Sequence, residues 1–400
     1  MKILLTSDWY TPAVNGVVTS VLTLRRELTL RGHEVRVLTL SGESRGWQAD
    51  GVYAVGSLDV GHIYPGARLR APALSSPLSQ LIAWCPDVVH SQCEFSTFGL
   101  ARRIAKACGA PLVHTYHTVY EDYTHYFSPS RRWGRMLVKG FTCVITAKTD
   151  AVIAPSAKVR TLLEGYGVRT PVRVIPTGIA LDRFTVTPDP DTLRERRAAL
   201  GIPAENTILL YVGRLAREKN VDELLESRAA LGKAPVTLLL AGGGPDEARL
   251  HQLAAAMGLQ APAVVFAGMV APAEVPLIYH LGDVFVSASE SETQGLTYFE
   301  AMAAGLPLVC RADPCLDGVI TNGENGWQYA DAKGRSAALA ALLADPALRR
   351  AMGCRSALTA RQFSAQQFAC RVEELYREVC LAKSSVCSPL FGRGLVPVQR

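Results

Sequence analysis

Short apolar runs alternate with amphipathic stretches along most of the chain. Lys2–Thr6 reads as a strand, Val17–Arg31 as a helix stopped by Gly32, and Glu34–Leu40 as an alternating strand. Asp87–His90 is a short strand after Pro86. Ser96–Cys108 is helical up to Gly109, and Pro111–Thr115 is the next strand. The second half repeats the scheme. Ile208–Val212, Val236–Ala241, Val264–Ala267, Val284–Ser287 and Leu308–Cys310 read as strands. Val221–Leu231 and Pro245–Met257, the latter ended by Gly258, read as helices. Strands separated by helices predict parallel βαβ units in an α/β chain. At 400 residues the chain is long for one core, so two doubly wound domains are expected. Such domains take their ligands at the carboxyl ends of the strands, here facing an interdomain cleft. The join falls between Tyr166 and Phe184, where Gly, Pro and Thr cluster around Ile175-Pro176-Thr177-Gly178. The expected division is 1–175, 176–364, a returning helix at 365–383 and a tail at 384–400. Pro346 to Lys383 reads as helix. The tail carries Pro389, Gly392, Gly394 and Pro397 and reads as mobile.

Composition narrows the class. Apolar content is 48% and charged content 20%, as in ordinary folded proteins. No apolar run approaches the ~18 residues a membrane-spanning helix needs. The opening Met1–Asp8 reads as a strand and not a signal peptide, so a cytoplasmic protein is expected. None of the ten cysteines forms a Cys-x-x-Cys, and no Cys/His group has zinc-finger spacing, so reduced structural cysteines are expected. The net charge of +6 is unevenly placed. Residues 1–170 hold 19 Lys and Arg against 12 Asp and Glu; residues 171–400 hold 23 against 24. A basic first half points to an anionic partner. The chain has no nucleic-acid-binding motif, which leaves a membrane surface.

The richest stretch runs from Ser289 to Gly305. It follows the strand Val284–Ser287 and leads into a helix over Thr297–Ala304, stopped by Gly305 and Pro307. Glu292 lies on the strand-to-helix loop and Glu300 in the first turns of the helix. A helix N-terminus near Leu296-Thr297 suits a phosphate. Two acids eight residues apart occur by chance in many helices; the setting makes these two informative. Together they describe an enzyme that holds a phosphorylated sugar by its hydroxyls. Arg214 and Lys219 follow the strand Ile208–Val212, five residues apart, and aim two cations at the same edge. An Arg fork and a Lys point charge suit a diphosphate leaving group. Gly16 opens the first helix, and Gly242 stands at the matching turn of the second half, where backbone can approach a phosphate. Between His114 and Tyr126 the chain becomes polar and aromatic, which apolar packing does not explain.

These residues carry a resemblance. Glu292-x7-Glu300, in the setting Ser-Glu-Thr-Gln-Gly followed by a Glu-Ala-Met-Ala-Ala-Gly helix, resembles the signature of retaining glycosyltransferases of family 4. Gly-Arg…Glu-Lys at 213–219 resembles the same family. The resemblance implies the GT-B fold, two Rossmann-like domains facing a cleft. The first would be the acceptor and membrane-facing domain, the second the nucleotide-sugar domain, and the last helix would return to brace the first. It implies that Glu292 contacts the donor sugar, Glu300 the ribose, and Arg214 and Lys219 the diphosphate. Thr293, Gln294, Gly295, Leu296 and Thr297 would line the donor, with Gly16 and Gly242 approaching it by backbone. His117 would reach the sugar and the reaction centre, while His114 is assigned to its strand. The family is described as using front-face substitution, in which the leaving phosphate takes the acceptor proton. No Asp-x-Asp metal motif stands among these residues, so no metal ligand and no obligatory cofactor is expected, Mg2+ at most stimulating.

His-Thr-Tyr-His-Thr-Val-Tyr-Glu-Asp-Tyr at 114–123, with His90…Glu94-Phe95-Ser96…Gly99 and Ser-Glu-Thr-Gln-Gly-Leu-Thr-Tyr, resembles bacterial diacylglycerol α-glucosyltransferases over roughly residues 1–380. That implies UDP-glucose as donor, diacylglycerol as acceptor and a peripheral place on the inner face of the cell membrane. Gln92-Cys93-Glu94-Phe95 departs from the Pro-Phe-Ser turn expected there, which bears on the acceptor pocket. The segment Ser130–Phe141 fits a lipid partner. Arg131, Arg132, Arg135 and Lys139 accompany Trp133, Met136, Leu137 and Phe141, as in an interfacial amphipathic helix. An ordinary surface helix would carry the same residues. Other acceptors stay open: phosphatidylinositol, a glycolipid or a soluble thiol or sugar. So do a membrane-bound nucleotide-sugar binder without turnover and a nucleotide-sugar epimerase.

Overall fold

The computed structural model describes residues 1–13, 15–60, 68–70, 76–121 and 130–386. The part of the polar aromatic stretch at 122–126, the side chain of Arg131 and the tail from residue 387 lie outside the described residues. The chain divides into two compact units. One comprises Met1–Pro176 with the chain from Gln366 on; the other comprises Thr177–Ala365.

The first unit is built on an eight-stranded sheet. Its strands are β1 (Lys2–Ser7), β2 (Glu34–Leu40), β3 (Trp47–Ala49) and β4 (Val52–Val55). A small hairpin, β5 (Ser57–Asp59) with β6 (Arg68–Arg70), lies apart. The sheet continues with β7 (Val88–Ser91), β8 (Leu112–Thr115), β9 (Ala151–Ala154) and β10 (Val172–Val174). The order is β10-β9-β8-β7-β1-β2-β4-β3, with only β3 antiparallel. Five consecutive residues of β1 are buried, because a parallel strand is covered on both faces. Ile3 and Leu5 face the helix Gly16–Leu30 through Val21, Leu24 and Leu28. Leu4 and Val89 face the helix Ser96–Cys108 through Phe98, Ala101 and Ile104.

The second unit holds β11 (Thr207–Val212), β12 (Val236–Ala241), β13 (Val264–Gly268), β14 (Val284–Ser287), β15 (Leu308–Arg311) and β16 (Gly326–Tyr329). The order is β13-β12-β11-β14-β15-β16, all parallel. One face packs Leu210, Leu239 and Phe285 against Tyr298, Phe299 and Met302 of the helix Leu296–Ala303. The other packs Leu209, Leu238 and Val286 against the helix Val221–Ala230.

Pro346–Lys383 is not one helix. One helix ends at Ala360, Arg361–Phe363 form a 3-10 turn, and a second helix runs Ala365–Val386. No Gly or Pro marks this break; tertiary contacts hold it. The Phe363 carbonyl accepts from Ile179 N–H at 2.9 Å, and Ala365 N–H donates to the Ile179 carbonyl at 2.8 Å. The Phe363 ring lies 4.2 Å from that of Phe299. The last helix, which takes in residues 384–386 of the expected tail, seats Phe368, Val372 and Tyr376 in the core of the first unit. Lys383 pairs with Asp150 at 2.8 Å.

Among the described residues no helix is long and apolar enough to cross a membrane.

Candidate active site

In each unit the strand order reverses about the first strand. β11 lies between β12 and β14, and β1 between β2 and β7. Such a switch point opens a crevice at the carboxyl ends of the two strands. The residues nominated from the sequence gather at these two places.

In the second unit, β11 runs out through Gly213 and Arg214 into the turn Arg217–Lys219. Asn220, in the left-handed region with φ 49°, redirects the chain into the helix Val221–Ala230. Lys219 Nζ donates to Glu292 Oε1 at 2.6 Å and reaches Ser289 Oγ at 3.4 Å. Glu292 belongs to the loop leaving β14, so the ion pair ties the two switch-point loops together. Both side chains are largely buried. A lysine ammonium has three donors, and one remains for an anion.

The loop from Ser289 to Gly295 is fixed from below. Gln294 is buried; its Oε1 accepts from Thr177 N–H and its Nε2 donates to the Thr177 carbonyl, each at 2.8 Å. Its amide is committed to holding the loop. Gly295 has φ 75°, and a Cβ there would meet the Tyr298 ring at 2.3 Å. Tyr298 is buried with its hydroxyl 3.1 Å from Ser287 Oγ. The loop can therefore pass over that ring only with glycine at 295. Thr293 precedes this turn, and Leu296 and Thr297 open the helix, whose first turn has no side-chain cap. Its N–H groups are the ones that suit an anion.

Glu300 lies one turn into the helix. Its Oε2 accepts from the Tyr279 hydroxyl at 2.7 Å. Burial pushes its carboxyl up to about 7, against the opposing pull of Tyr279 and Arg183. Gly242 has φ 132°, and a Cβ there would fall 2.0 Å from the Gly213 carbonyl oxygen. The turns after β11 and β12 thus run in backbone contact, and Leu215 N–H donates to the Gly243 carbonyl at 3.0 Å.

In the first unit, Gly16 opens the helix Gly16–Leu30, capped by Asn15 Oδ1 on Val18 N–H at 2.9 Å. His117 follows β8, and its Nε2 lies 2.7 Å from Gln92 Oε1. With the amide oxygen facing it, Nε2 carries the proton and Nδ1 is left as an acceptor. Burial pushes His117 down to about 4, with Glu94 opposing, so the ring is neutral near pH 7. His114 is buried within β8, its Nε2 3.2 Å from Glu94 Oε1. Tyr120 donates to Glu94 Oε2 at 2.6 Å. Asp8, beyond β1, accepts from Ser96 N–H at 3.1 Å and Thr97 N–H at 2.7 Å, capping the helix Ser96–Cys108.

Sequence reasoning assigned no role to Tyr279, Gln92, Glu94 or Asp8. Glu94 stood inside a quoted motif, and Asp8 ends the first strand at the switch-point edge. Tyr279 lies 21 residues from Glu300, on another helix, and nothing in its neighbourhood signals the contact.

The segment Arg131–Thr146 is a helix. Gly134, Val138, Thr142 and Ile145 are buried, whereas Trp133 (64%), Met136, Leu137 (58%) and Val144 stand in solvent. Arg132, Arg135 and Lys139 are exposed alongside.

Two doubly wound units with cations and carboxylates at a switch point define a GT-B glycosyltransferase. The chain belongs to glycosyltransferase family 4. The model of "Glycosyltransferase Family 4" matches residues 14–183, and that of "Glycosyl transferases group 1" matches residues 193–357. It is 35% identical over 395 residues to the alpha-monoglucosyldiacylglycerol synthase of Streptococcus pneumoniae, covering 96% of this chain and 87% of that one. It is 31% identical to the enzyme of the same name from Acholeplasma laidlawii, covering 82% and 84%. A D-inositol 3-phosphate glycosyltransferase of Corynebacterium jeikeium is also 31% identical, over 67% of each chain. Among solved structures, Anabaena HepE in complex with UDP and glucose superposes with a TM-score of 0.73 at 18% identity, over 94% of this chain and all of that one.

Proposed function

We propose that this glycosyltransferase moves glucose from UDP-glucose to the free hydroxyl of diacylglycerol, with retention, forming an α-glucosyl-diacylglycerol. The observation that carries the lipid acceptor is the face of the helix Arg131–Thr146. Four large apolar side chains stand in solvent beside three cations, the arrangement that seats a helix in an anionic membrane interface. The similarity to two enzymes named as monoglucosyldiacylglycerol synthases, over 96% and 82% of this chain, supports the same reading.

The residues take the following parts. Arg214, Lys219 and the first turn at Leu296-Thr297 receive the diphosphate and stabilise the charge that develops as the anomeric carbon–oxygen bond breaks. Glu292, held by Lys219, orients the sugar. Glu300, positioned by Tyr279, takes the ribose hydroxyls. Neutral His117 offers Nδ1 to a sugar hydroxyl. The acceptor oxygen bonds to the anomeric carbon on the face the phosphate leaves, and its proton passes to the departing phosphate. No metal is given a part in this scheme.

Radiolabelled UDP-glucose, supplied with diacylglycerol in anionic vesicles and with inositol phosphate in the water phase, tests the reading. Label is expected in the organic extract. Label only in water-soluble product, as the inositol-phosphate enzymes among the relatives would give, would refute the lipid acceptor.

A further inference from the structure

The carboxyl edge of the first unit is acidic where a phosphorylated acceptor would need cations. Asp8 leaves β1 and Glu94 leaves β7, the two strands of the switch point. The helix Ser96–Cys108 begins here, and its free N–H groups would ordinarily favour a phosphate. Two of them, those of Ser96 and Thr97, are already taken. Asp8 accepts from Ser96 N–H and Thr97 N–H at 3.1 and 2.7 Å. The helix's own cations, Arg102, Arg103 and Lys106, lie beyond that first turn. Asp8 is half-buried. Glu94 is buried, with His114 and Tyr120 on its two oxygens. Burial, and secondarily Glu94, raises Asp8 to about 6, so at neutral pH it still carries most of its charge. The neighbouring His117 is neutral and contributes no compensating cation.

We infer that Asp8, seated on the N-terminus of the helix Ser96–Cys108 with Glu94 beside it, confines the acceptor to an uncharged hydroxyl and excludes acceptors that bring a phosphate. The carboxylate fills the anion position and repels a second anion, a specificity built from repulsion. This rests on the first unit being the acceptor side of the proposed lipid glucosyltransferase.

The test compares kcat/KM for diacylglycerol and for phosphatidylinositol in vesicles of one fixed phosphatidylglycerol content, with UDP-glucose as donor. Wild type, Asp8→Asn, Asp8→Ser and Asp8→Glu are compared. Asn keeps an acceptor oxygen at the same reach from β1 and Ser keeps a shorter one; Tm and UDP affinity verify that each variant folds. Wild type is expected to prefer diacylglycerol strongly. Asp8→Asn and Asp8→Ser should narrow the ratio by at least about tenfold, the least a repelling charge at close range supplies. Asp8→Glu should keep it. A merely structural role would lower both activities and leave the ratio alone. Wild type that uses phosphatidylinositol as readily, or an Asp8→Asn protein with full activity on diacylglycerol and an unchanged ratio, overturns this inference alone. Transfer to inositol phosphate with none to either lipid overturns it together with the lipid reading.

Discussion

Glu300 is a carboxylate whose surroundings disfavour its charge, and this has a measurable consequence for stability. Its folded carboxyl titrates at about 7, raised from 4.5, chiefly by burial. Between those values the folded protein holds a proton that the unfolded chain has released. This group's contribution is therefore full below pH 4.5 and is lost as pH rises through 7. Glu300→Gln removes that loss. The Tm of the variant is expected to gain on wild type by about a few degrees between pH 5 and pH 8, as thermal melts would show. A gap that stays constant with pH would contradict the assignment. The same substitution should weaken UDP-glucose binding roughly tenfold in calorimetry, whereas Arg214→Ala should lower single-turnover rate more than affinity. Equal losses from both variants in both measurements would count against the separate roles. Glu292 and Lys219 could be named from the sequence because each sits in a local pattern. That they form one 2.6 Å pair is a tertiary fact. Tyr279 was beyond reach because the helix bringing it to Glu300 carries no polar signature.

At the scale of elements, the donor loops are held by a buried charge cluster behind them. Glu223, in the first turn of the helix Val221–Ala230, accepts from Asn220 Nδ2 at 2.9 Å, next to Lys219. It also pairs with Arg335 at 2.6 Å and with Arg311 at the end of β15. Arg311 reaches on to Glu290 at 3.2 Å, two residues from Glu292. Arg311 thus joins the Lys219 loop to the Glu292 loop. Removing one partner of a fully buried pair costs about 3–5 kcal/mol and exposed pairs contribute about 0–1 kcal/mol; Arg311, 26% exposed against buried Glu223, falls between the two. Arg311→Ala is accordingly expected to lower Tm clearly and to raise the donor KM. Glu290→Ala, whose side chain is 63% exposed, should change Tm little. Comparable melts for the two variants would refute this ranking. Strands buried on both faces were legible because their apolar runs are unbroken, and β2, β12 and β14 fall where the pattern put them. The strands β3, β10 and β16 were not expected, since a polar residue breaks each of these three- or four-residue spans, and β4 and β9 were not expected either, although their apolar runs are as long as that of β14. The break at 361–364 escaped for a different reason: its cause is a pairing with Ile179, far away in sequence.

At the scale of the whole molecule, the basic excess of the first half acquires a location. It was visible as charge in the sequence, but only the folded helix shows that Trp133 and Leu137 are left in solvent while Val138 and Thr142 are buried. The same composition would describe a helix buried on its apolar side. Trp133→Ala with Leu137→Ala should reduce co-sedimentation with phosphatidylglycerol vesicles severalfold and leave UDP binding unchanged. Unaltered sedimentation would remove the helix as the membrane anchor. Everything proposed for the two switch points converges on one product, an α-glucoside of an uncharged lipid. The anomeric configuration and mass of the lipid formed from UDP-glucose and diacylglycerol in anionic vesicles test that most directly. A mono-hexosyl diacylglycerol with the α-anomeric proton signal is expected. A β-linked product, or an extract with no hexosyl lipid while UDP-glucose is consumed, would contradict it.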